Sequence, residues 1–133
     1  MNPEEIIATW LGDSTITALV GDRSALSQLP ANSIFPAIVY NIVDSTPQPN
    51  VAAQGENELA QCRIQLNPVA KTIPEIKNIA NALRVLLDFK HNVTIASKTV
   101  VSMRLLDMGP LEKDNDSGLF TQRYDYRMFW YET

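Results

Sequence analysis

The chain ends in a long segment of alternating side chains, which runs from Gly118 to Glu132 and reads GLFTQRYDYRMFWYE. The even-numbered positions, which form one parity of the segment, are aromatic or apolar at Phe120, Tyr124, Tyr126, Met128 and Trp130. The other parity is polar and becomes apolar only at its end: Thr121, Arg123, Asp125, Arg127, Phe129 and Tyr131. This period of two, with its aromatic enrichment, predicts a β-strand with one buried face. Common strands have ~5–6 residues, so we expect a large sheet or a neighbouring subunit to cover this longer one.

The composition limits the classes of protein to which the chain can belong. Its 133 residues predict a single domain that spans 1–133. Fifteen acidic residues against eleven basic ones give a net charge of −4, which argues against nonspecific binding to nucleic acid. Cys62 is the only cysteine, so we expect a buried core residue and no disulfide. No basic signal region and no apolar run of ~18 residues is present, so we expect folding in a reducing cytoplasm.

Two short helices are predicted at the N-terminus. The first has Asn2 as its N-cap and Pro3 in its first turn, and the second extends from a Ser14 cap to Gly21. Residues 22–36 lack a sustained hydrophobic period and are expected to form an extended connection. The predicted anchors of this connection are Ile34 and Phe35.

One long helix is predicted in the second half of the chain. Thr72 and Glu75 have the spacing of a capping box, and apolar residues then recur every three or four positions until near Asp88. The predicted strands span 37–44, 58–67, 93–95, 99–108 and 118–132. The first of these strands is apolar on both parities, which predicts burial on both faces. Two polar segments, 45–57 and 109–118, are predicted to be mobile loops.

The fold class follows from this order of elements. Strands that are adjacent in sequence and joined by short turns pair mainly in the antiparallel sense. We therefore predict an α+β domain in two layers, with a mainly antiparallel β-sheet, one long helix packed on one face and short N-terminal helices.

No arrangement of residues in the sequence predicts catalysis. His91 is the only histidine, and neither a nucleophile-elbow motif nor a glycine-rich phosphate loop is present. Glu112, Asp114 and Asp116 alternate as in a calcium loop, but Gly118 comes too late and no acid follows at the closing position. We therefore expect no enzyme activity, no cofactor and no bound metal.

A polar face on two predicted strands allows more than one interpretation. Arg63 and Gln65 alternate with apolar residues, as Arg123 and Arg127 do near the end of the chain. Such a face can be solvated or can form a polar subunit interface. Arginines beside aromatic residues can also stack on nucleic-acid bases. We favour ion pairing within the sheet over base stacking, because Asp125 shares the parity of the arginines.

The order of the segments resembles the tail-completion or tail-terminator proteins of tailed bacteriophages and prophages. The resemblance covers almost the whole chain through ITALVGDR (16–23), IFPAIVYNIV (34–43), LAQCRIQLN (59–67), IPEIKNIANALRVLL (73–87) and SGLFTQRYDYRMFWYE (117–132). Members of the family similarly pass from a glycine after an acidic loop into a final strand that ends in aromatic residues. The joint order of these segments, rather than a catalytic motif, carries the resemblance.

The resemblance implies a structural protein rather than an enzyme. Such proteins form a homo-oligomeric ring, commonly a hexamer, at the head-proximal end of the tail tube. They stop tube growth and give the head a docking surface, while DNA passes through the lumen without specific binding. The implied partners are further copies of the chain, the major tail-tube protein and a head-completion or neck protein, with no membrane. The implied location is the virion tail, after assembly in the host cytoplasm.

A ring needs an interface, and the polar sheet face is our candidate for it. The predicted interface residues are Arg63, Gln65, Arg123, Arg127, Phe129 and Tyr131. We expect Arg123→Glu to weaken assembly and to leave thermal stability nearly unchanged. The loop with Glu112, Asp114 and Asp116 is expected to face the lumen or the tube. Two alternatives stay open: a neck or head-closure protein of the same virion region, and a small-molecule or peptide-binding accessory module from outside phages.

Overall fold

The computed structural model describes residues 3–21, 23–28, 34–48 and 59–131, which hold three helices and six strands. The helices are α1 (Pro3–Leu11), α2 (Ser14–Val20) and α3 (Ile73–Leu87). The strands are β1 (Ser24–Leu26), β2 (Ala37–Gln48), β3 (Leu59–Ala70), β4 (Lys90–Ile95), β5 (Lys98–Lys113) and β6 (Phe120–Tyr131). In this part of the chain, none of the helices is long and apolar enough to cross a membrane.

All six strands belong to one sheet, in the order β1-β2-β3-β6-β5-β4. β1 pairs with β2 in parallel, and the other neighbouring strands pair in the antiparallel sense. The predicted α+β class with a mainly antiparallel sheet is therefore confirmed. β6 lies inside the sheet, where β3 and β5 supply hydrogen-bond partners along both of its edges. This position accounts for the length of the last strand.

The core forms between the helices and one face of the sheet. Helix residues and one parity of β3 and β6 belong to a single buried cluster. The two strands contribute Ala60, Cys62, Ile64, Leu66, Tyr124, Tyr126, Met128 and Trp130. The helices contribute Ile6, Ile7, Trp10, Leu11, Ile16, Val20, Ile79, Ala80, Leu83 and Leu87. The predicted burial of the aromatic parity of the last strand is confirmed, except that Phe120 at its start is only half-buried.

The structure corrects two details of the helix ends. Asp13, not Ser14, is the N-cap of α2, because its Oδ1 accepts hydrogen bonds from the backbone N and the hydroxyl of Thr15 at 3.0 and 2.8 Å. At the start of α3, the Thr72 hydroxyl donates to Glu75 Oε1 at 2.8 Å. These two side chains therefore bond to each other instead of capping the helix backbone.

Both predicted loops are shorter than expected. β2 continues to Gln48, and β5 continues to Lys113, so the first half of the predicted 109–118 loop is strand. The polar residues there stay in the sheet because backbone pairing with β3 and β6 continues as far as Gln48 and Lys113. The rest of the predicted 45–57 loop lies outside the described residues, as does Asn2.

The segment around β1 and β2 also differs from the prediction. The connection at 22–36 contains the unpredicted strand β1, which is only three residues long. Ile34 is not an anchor, because its side chain is 68% exposed, whereas Phe35 is half-buried. β2 is not buried on both faces along its length: Ala37 and Ile38 are buried near its start, whereas Val43 is 54% exposed. The difference arises because the helices cover a single side of this strand.

The buried tyrosines should make the fold sensitive to alkali. Burial raises the pKa of Tyr40, Tyr124 and Tyr126 above the ordinary value of 10.0, most strongly at Tyr126. Above about pH 10 the unfolded chain releases tyrosine protons that the folded chain retains, so the contribution of these tyrosines to stability is constant below this pH and falls as the pH rises. We expect the melting temperature to drop between about pH 10 and 11.5, and to drop less in Tyr126→Phe. An equal drop in that variant would contradict this cause.

Candidate assembly face

The face of the sheet turned away from the helices carries the predicted interface. We call it the outer face and define it by the following side chains. They are Gln61, Arg63 and Gln65 of β3, Arg123, Asp125, Arg127, Phe129 and Tyr131 of β6, and Ser102, Arg104 and Asp107 of β5. Arg63 lies opposite Arg127, and Gln65 lies opposite Asp125. The structure therefore places all six predicted interface residues on one surface.

An ion-pair network crosses the outer face. Asp125 Oδ2 accepts a hydrogen bond from Arg63 Nη2 at 2.8 Å and lies 3.3 Å from Arg123 Nε. Arg123 Nη2 in turn lies 3.3 Å from Asp107 Oδ2. The side chain of Asp125 is 2% exposed, whereas those of Arg63, Arg123 and Asp107 are 43%, 41% and 56% exposed. The predicted pairing of Asp125 with arginines is confirmed, and the network links β3, β6 and β5.

Gly109 makes room for one arginine of this network. A Cβ atom at position 109 would lie 3.2 Å from Cβ and 3.4 Å from Cζ of Arg123. The glycine sits in β5 where the pairing with β6 shifts register, between Met108 and Leu111. A larger residue would press on the arginine side chain and move its guanidinium relative to Asp107. Glycine is therefore favoured here by close approach rather than by flexibility.

Three arginines stand side by side on neighbouring strands. Arg63 lies opposite Arg127, and Arg127 lies opposite Arg104; we call these three residues the arginine row. Like charges placed directly opposite each other destabilise a sheet, here by up to about 1 kcal/mol per pair in water. Asp125 offsets the charge of Arg63, and the guanidinium of Arg104 lies 4.9 Å from the centre of the Phe89 ring. Arg127 is exposed and forms no ion pair with any residue that the structure describes.

An open recess of about 260 Å³ adjoins the arginine row. It is lined by Ser102, Arg104, Leu105, Leu106, Arg127 and Phe129. This lining combines two guanidinium groups with apolar side chains and contains no described carboxylate. The recess is therefore suited to an anionic segment that also brings apolar contacts.

The predicted acidic loop forms the turn at the far end of the β5–β6 hairpin. We give the name acidic turn to Glu112, near the end of β5, together with Asp114 and Asp116 of the turn itself, and all three side chains are exposed. The backbone N of Asp114 donates to Leu119 O at 2.9 Å, and the N of Gly118 donates to Asp114 O at 2.7 Å. Asp114 Oδ1 also accepts a hydrogen bond from Asp116 N at 3.0 Å. The turn is therefore ordered by its own hydrogen bonds.

The described residues do not assemble a catalytic or metal-binding group. His91 is exposed on β4, and its Nδ1 lies 3.2 Å from the carbonyl oxygen of Phe89. In the described ranges, no group of three His, Cys, Asp or Glu residues is close enough to hold a metal ion. In the network around Asp125, the two arginines and the two aspartates balance in charge.

Sequence reasoning found the outer face but missed part of its composition. The contributions of Arg104, Asp107 and Gly109 were not predicted as parts of an interface. β5 shifts register against β6 between Leu105 and Asp107, so counting parities along the sequence misplaces side chains beyond the shift. The available signal was Gly109 itself, because a glycine inside a strand pattern marks a bulge or a close approach.

A known protein family matches nearly the whole of the described chain. The family model described as "Tail completion protein gp17" matches residues 4–131. The chain belongs to this family. Its membership confirms the resemblance seen in the sequence and makes it a structural protein of a phage tail. The outer face is therefore a surface of a tail completion protein. The function to consider for it is contact with other proteins.

Solved structures share the fold of this tail completion protein. One matching chain comes from a structure described as "Virion of native gene transfer agent (GTA) particle", with a TM-score of 0.65 and 12% identity, over 96% of this chain and 92% of that chain. Another, designated only by a sequence code, matches with a TM-score of 0.64 and 12% identity, over 100% and 97% of the two chains. At this identity the likeness shows the fold alone. The comparison with curated proteins found no match.

Proposed function

We propose that this tail completion protein forms a closed ring, a hexamer, at the head-proximal end of the tail tube, where it ends tube growth and provides the docking surface for the head. The observation that carries the proposal is the outer face, an ordered and charged sheet surface that none of the described helices covers. Family membership supports the role in the tail. The proposed partners are further copies of the chain, the major tail-tube protein and a head-completion protein.

The outer face has the properties of a surface prepared for protein contact. Arg63 and Arg123 are already held by Asp125, so they lose little conformational freedom when a partner binds. Phe129 is half-buried and Tyr131 is partly exposed at one end of the face. Aromatic and arginine side chains are the residues that most often anchor protein interfaces. This combination supports an interface over a merely solvated face.

The charge of the chain is compatible with a ring through which DNA passes. The net charge of −4 means that the surface as a whole repels phosphate. In the proposed ring, DNA therefore crosses the lumen without specific binding. The protein is assembled in the host cytoplasm and remains in the virion tail.

The proposed ring can be tested by measuring the mass and the shape of the assembled protein. We expect the purified protein, alone or with tubes of its cognate major tail protein, to form closed rings in negative-stain electron micrographs and to show the corresponding mass by light scattering. Protein that stays monomeric at high concentration and leaves the tubes uncapped would contradict the proposal. Rings that bind a head-completion protein but not the tubes would instead identify a neck or head-closure protein.

Arg127 is a better probe of the interface than Arg123. The Arg123 guanidinium lies close to Asp125 and Asp107, so we now expect Arg123→Glu to lower the free energy of unfolding by about 1–3 kcal/mol. Arg127→Glu breaks no described ion pair and removes like-charge repulsion. We expect it to fold with an unchanged or higher melting temperature and to form rings with affinity lowered more than about tenfold.

Lys71→Glu is the matched control for Arg127→Glu. It makes the same change of charge at an exposed residue that lies outside the outer face. We expect this variant to form rings as the unaltered protein does. Equal losses of ring formation in the two variants would show that net charge, rather than the outer face, governs assembly.

A further inference from the structure

We infer that the arginine row of one copy binds the acidic turn of the next copy, and that this head-to-tail contact closes the ring. The inference rests on the proposed ring and names the contact that builds it. It places Glu112, Asp114 and Asp116 against a neighbouring copy, whereas the sequence alone led us to expect them at the lumen or the tube.

Arg127, the middle residue of the arginine row, is the residue of the row that can accept an anion from another copy. Arg127 has an arginine on each side and no described ion-pair partner. The outer face as defined holds four arginines and two aspartates, although the whole chain carries a net charge of −4. A positive surface on an acidic protein is complementary to the remaining surface of another copy of that protein.

The acidic turn cannot satisfy the arginine row of its own chain. Arg127 lies seven positions along β6 from Phe120, which is beside the turn, and this separation corresponds to about 23 Å along a strand. Lys113, the basic residue at the end of β5 beside the turn, has its Nζ 5.6 Å from the centre of the Phe120 ring. The exposed carboxylates beyond Lys113 are therefore available to a second copy.

The positions of the two surfaces determine the symmetry of the contact. The arginine row and the acidic turn are different parts of the molecule, so binding of one to the other is a heterologous contact. Repetition of such a contact produces a ring when the rotation closes. The recess beside the row has room for part of a turn, and Leu106 and Phe129 supply apolar surface within it.

The unpaired stretches of β5 and β2 are less suited to self-association than the outer face. Beyond Met103, the outer edge of β5 is not paired with β4, but it contains Pro110 and two register shifts. Beyond Tyr40, the outer edge of β2 is not paired with β1 and contains a register shift next to Ile42. Bulges and prolines at an edge hinder the addition of another strand. The charged face therefore remains the favoured surface.

Carbodiimide crosslinking of Arg127→Lys tests the contact directly, because this variant keeps the charge and adds an amine that can couple to a carboxylate. An equal mixture of ¹⁴N- and ¹⁵N-labelled protein distinguishes links between copies from links within one copy. We expect mass spectrometry to find position 127 linked to the peptide that contains Glu112, Asp114 and Asp116 of the other isotope. The control Arg84→Lys, on the exposed side of α3, should give no such link.

Charge exchange tests the same contact by function. Arg127→Glu alone, or Glu112→Lys combined with Asp116→Lys, should each lower ring formation more than about tenfold. A mixture of these two proteins should recover rings of alternating copies, because each contact then joins either the intact row to the intact turn or the reversed row to the reversed turn. A protein that carries all three substitutions should recover rings. Full ring formation by either reversed variant, or no recovery in the combined one, would overturn the inference.

The outcomes separate this inference from the proposed function. If the unaltered protein forms rings, but the crosslink is absent and the reversed variants assemble normally, the contact is wrong and the ring stands. If the unaltered protein neither forms rings nor caps tubes, the proposed function fails. A specific crosslink between copies without closed rings would support the contact and contradict closure.

Discussion

Trp130→Ala is expected to lower the free energy of unfolding by about 3–5 kcal/mol, the largest effect of any single substitution considered for this protein. Trp130 is fully buried at the end of β6 and belongs to the cluster that joins the sheet to the helices. Its truncation removes apolar contact and leaves a cavity that close-packed neighbours fill only in part. The loss should appear as a melting temperature lower by about 10 °C or more.

Tyr131→Ala is the matched control for Trp130→Ala. Tyr131 is the next residue of the same strand, points to the opposite face and is 38% exposed. We expect its truncation to change the free energy of unfolding by less than about 1 kcal/mol. Urea denaturation measured on both variants gives the comparison. Equal losses would show that both faces of β6 are buried in the monomer and would remove the outer face as a free surface.

Asp125→Ala is expected to lower the free energy of unfolding by about 2–3 kcal/mol. The buried carboxylate is the shared partner of Arg63 and Arg123, so its removal breaks the contact of Oδ2 with both guanidinium groups. Breaking a fully buried ion pair costs about 3–5 kcal/mol, and breaking an exposed one costs less than about 1 kcal/mol. An intermediate value is expected because the carboxylate is buried while both arginines reach solvent.

Asp107→Ala provides the matched control for Asp125→Ala. Asp107 also pairs with Arg123, but its side chain is 56% exposed, so we expect a loss below about 0.5 kcal/mol. Urea denaturation at low and high salt should show a larger salt dependence for the pair made by Asp107 than for the pair between Asp125 and Arg63. Similar small losses in both variants would show that the buried carboxylate does not organise the outer face.

The inner face of β6 was predictable because alternation is a local property of the chain. Tyr124, Tyr126, Met128 and Trp130 share one parity in the sequence, and the structure buries all four. The apolar side of α3 was predictable for the same reason, because apolar residues spaced by three and four positions lie on one side of a helix. Family membership could also be anticipated, because it depends on the order of these local patterns along the whole chain.

The extent of the strands was harder to predict. Polar residues at 109–113 looked like part of a loop, yet they continue β5 because β6 supplies backbone partners for them. Composition describes side chains, whereas strand length depends on whether a neighbouring strand offers hydrogen bonds. β1 was missed for a related reason, since three residues show no period until β2 lies beside them.

The sequence was sufficient to assign side chains to the two faces of β3 and β6 and to indicate a phage tail protein. It could not assign neighbours across strands. Arg127 stands between Arg63 and Arg104 because antiparallel register brings together residues far apart in the chain, and the register shifts of β5 alter that alignment. Such contacts depend on backbone hydrogen bonds made at long range, which leave no mark in the local pattern of residues.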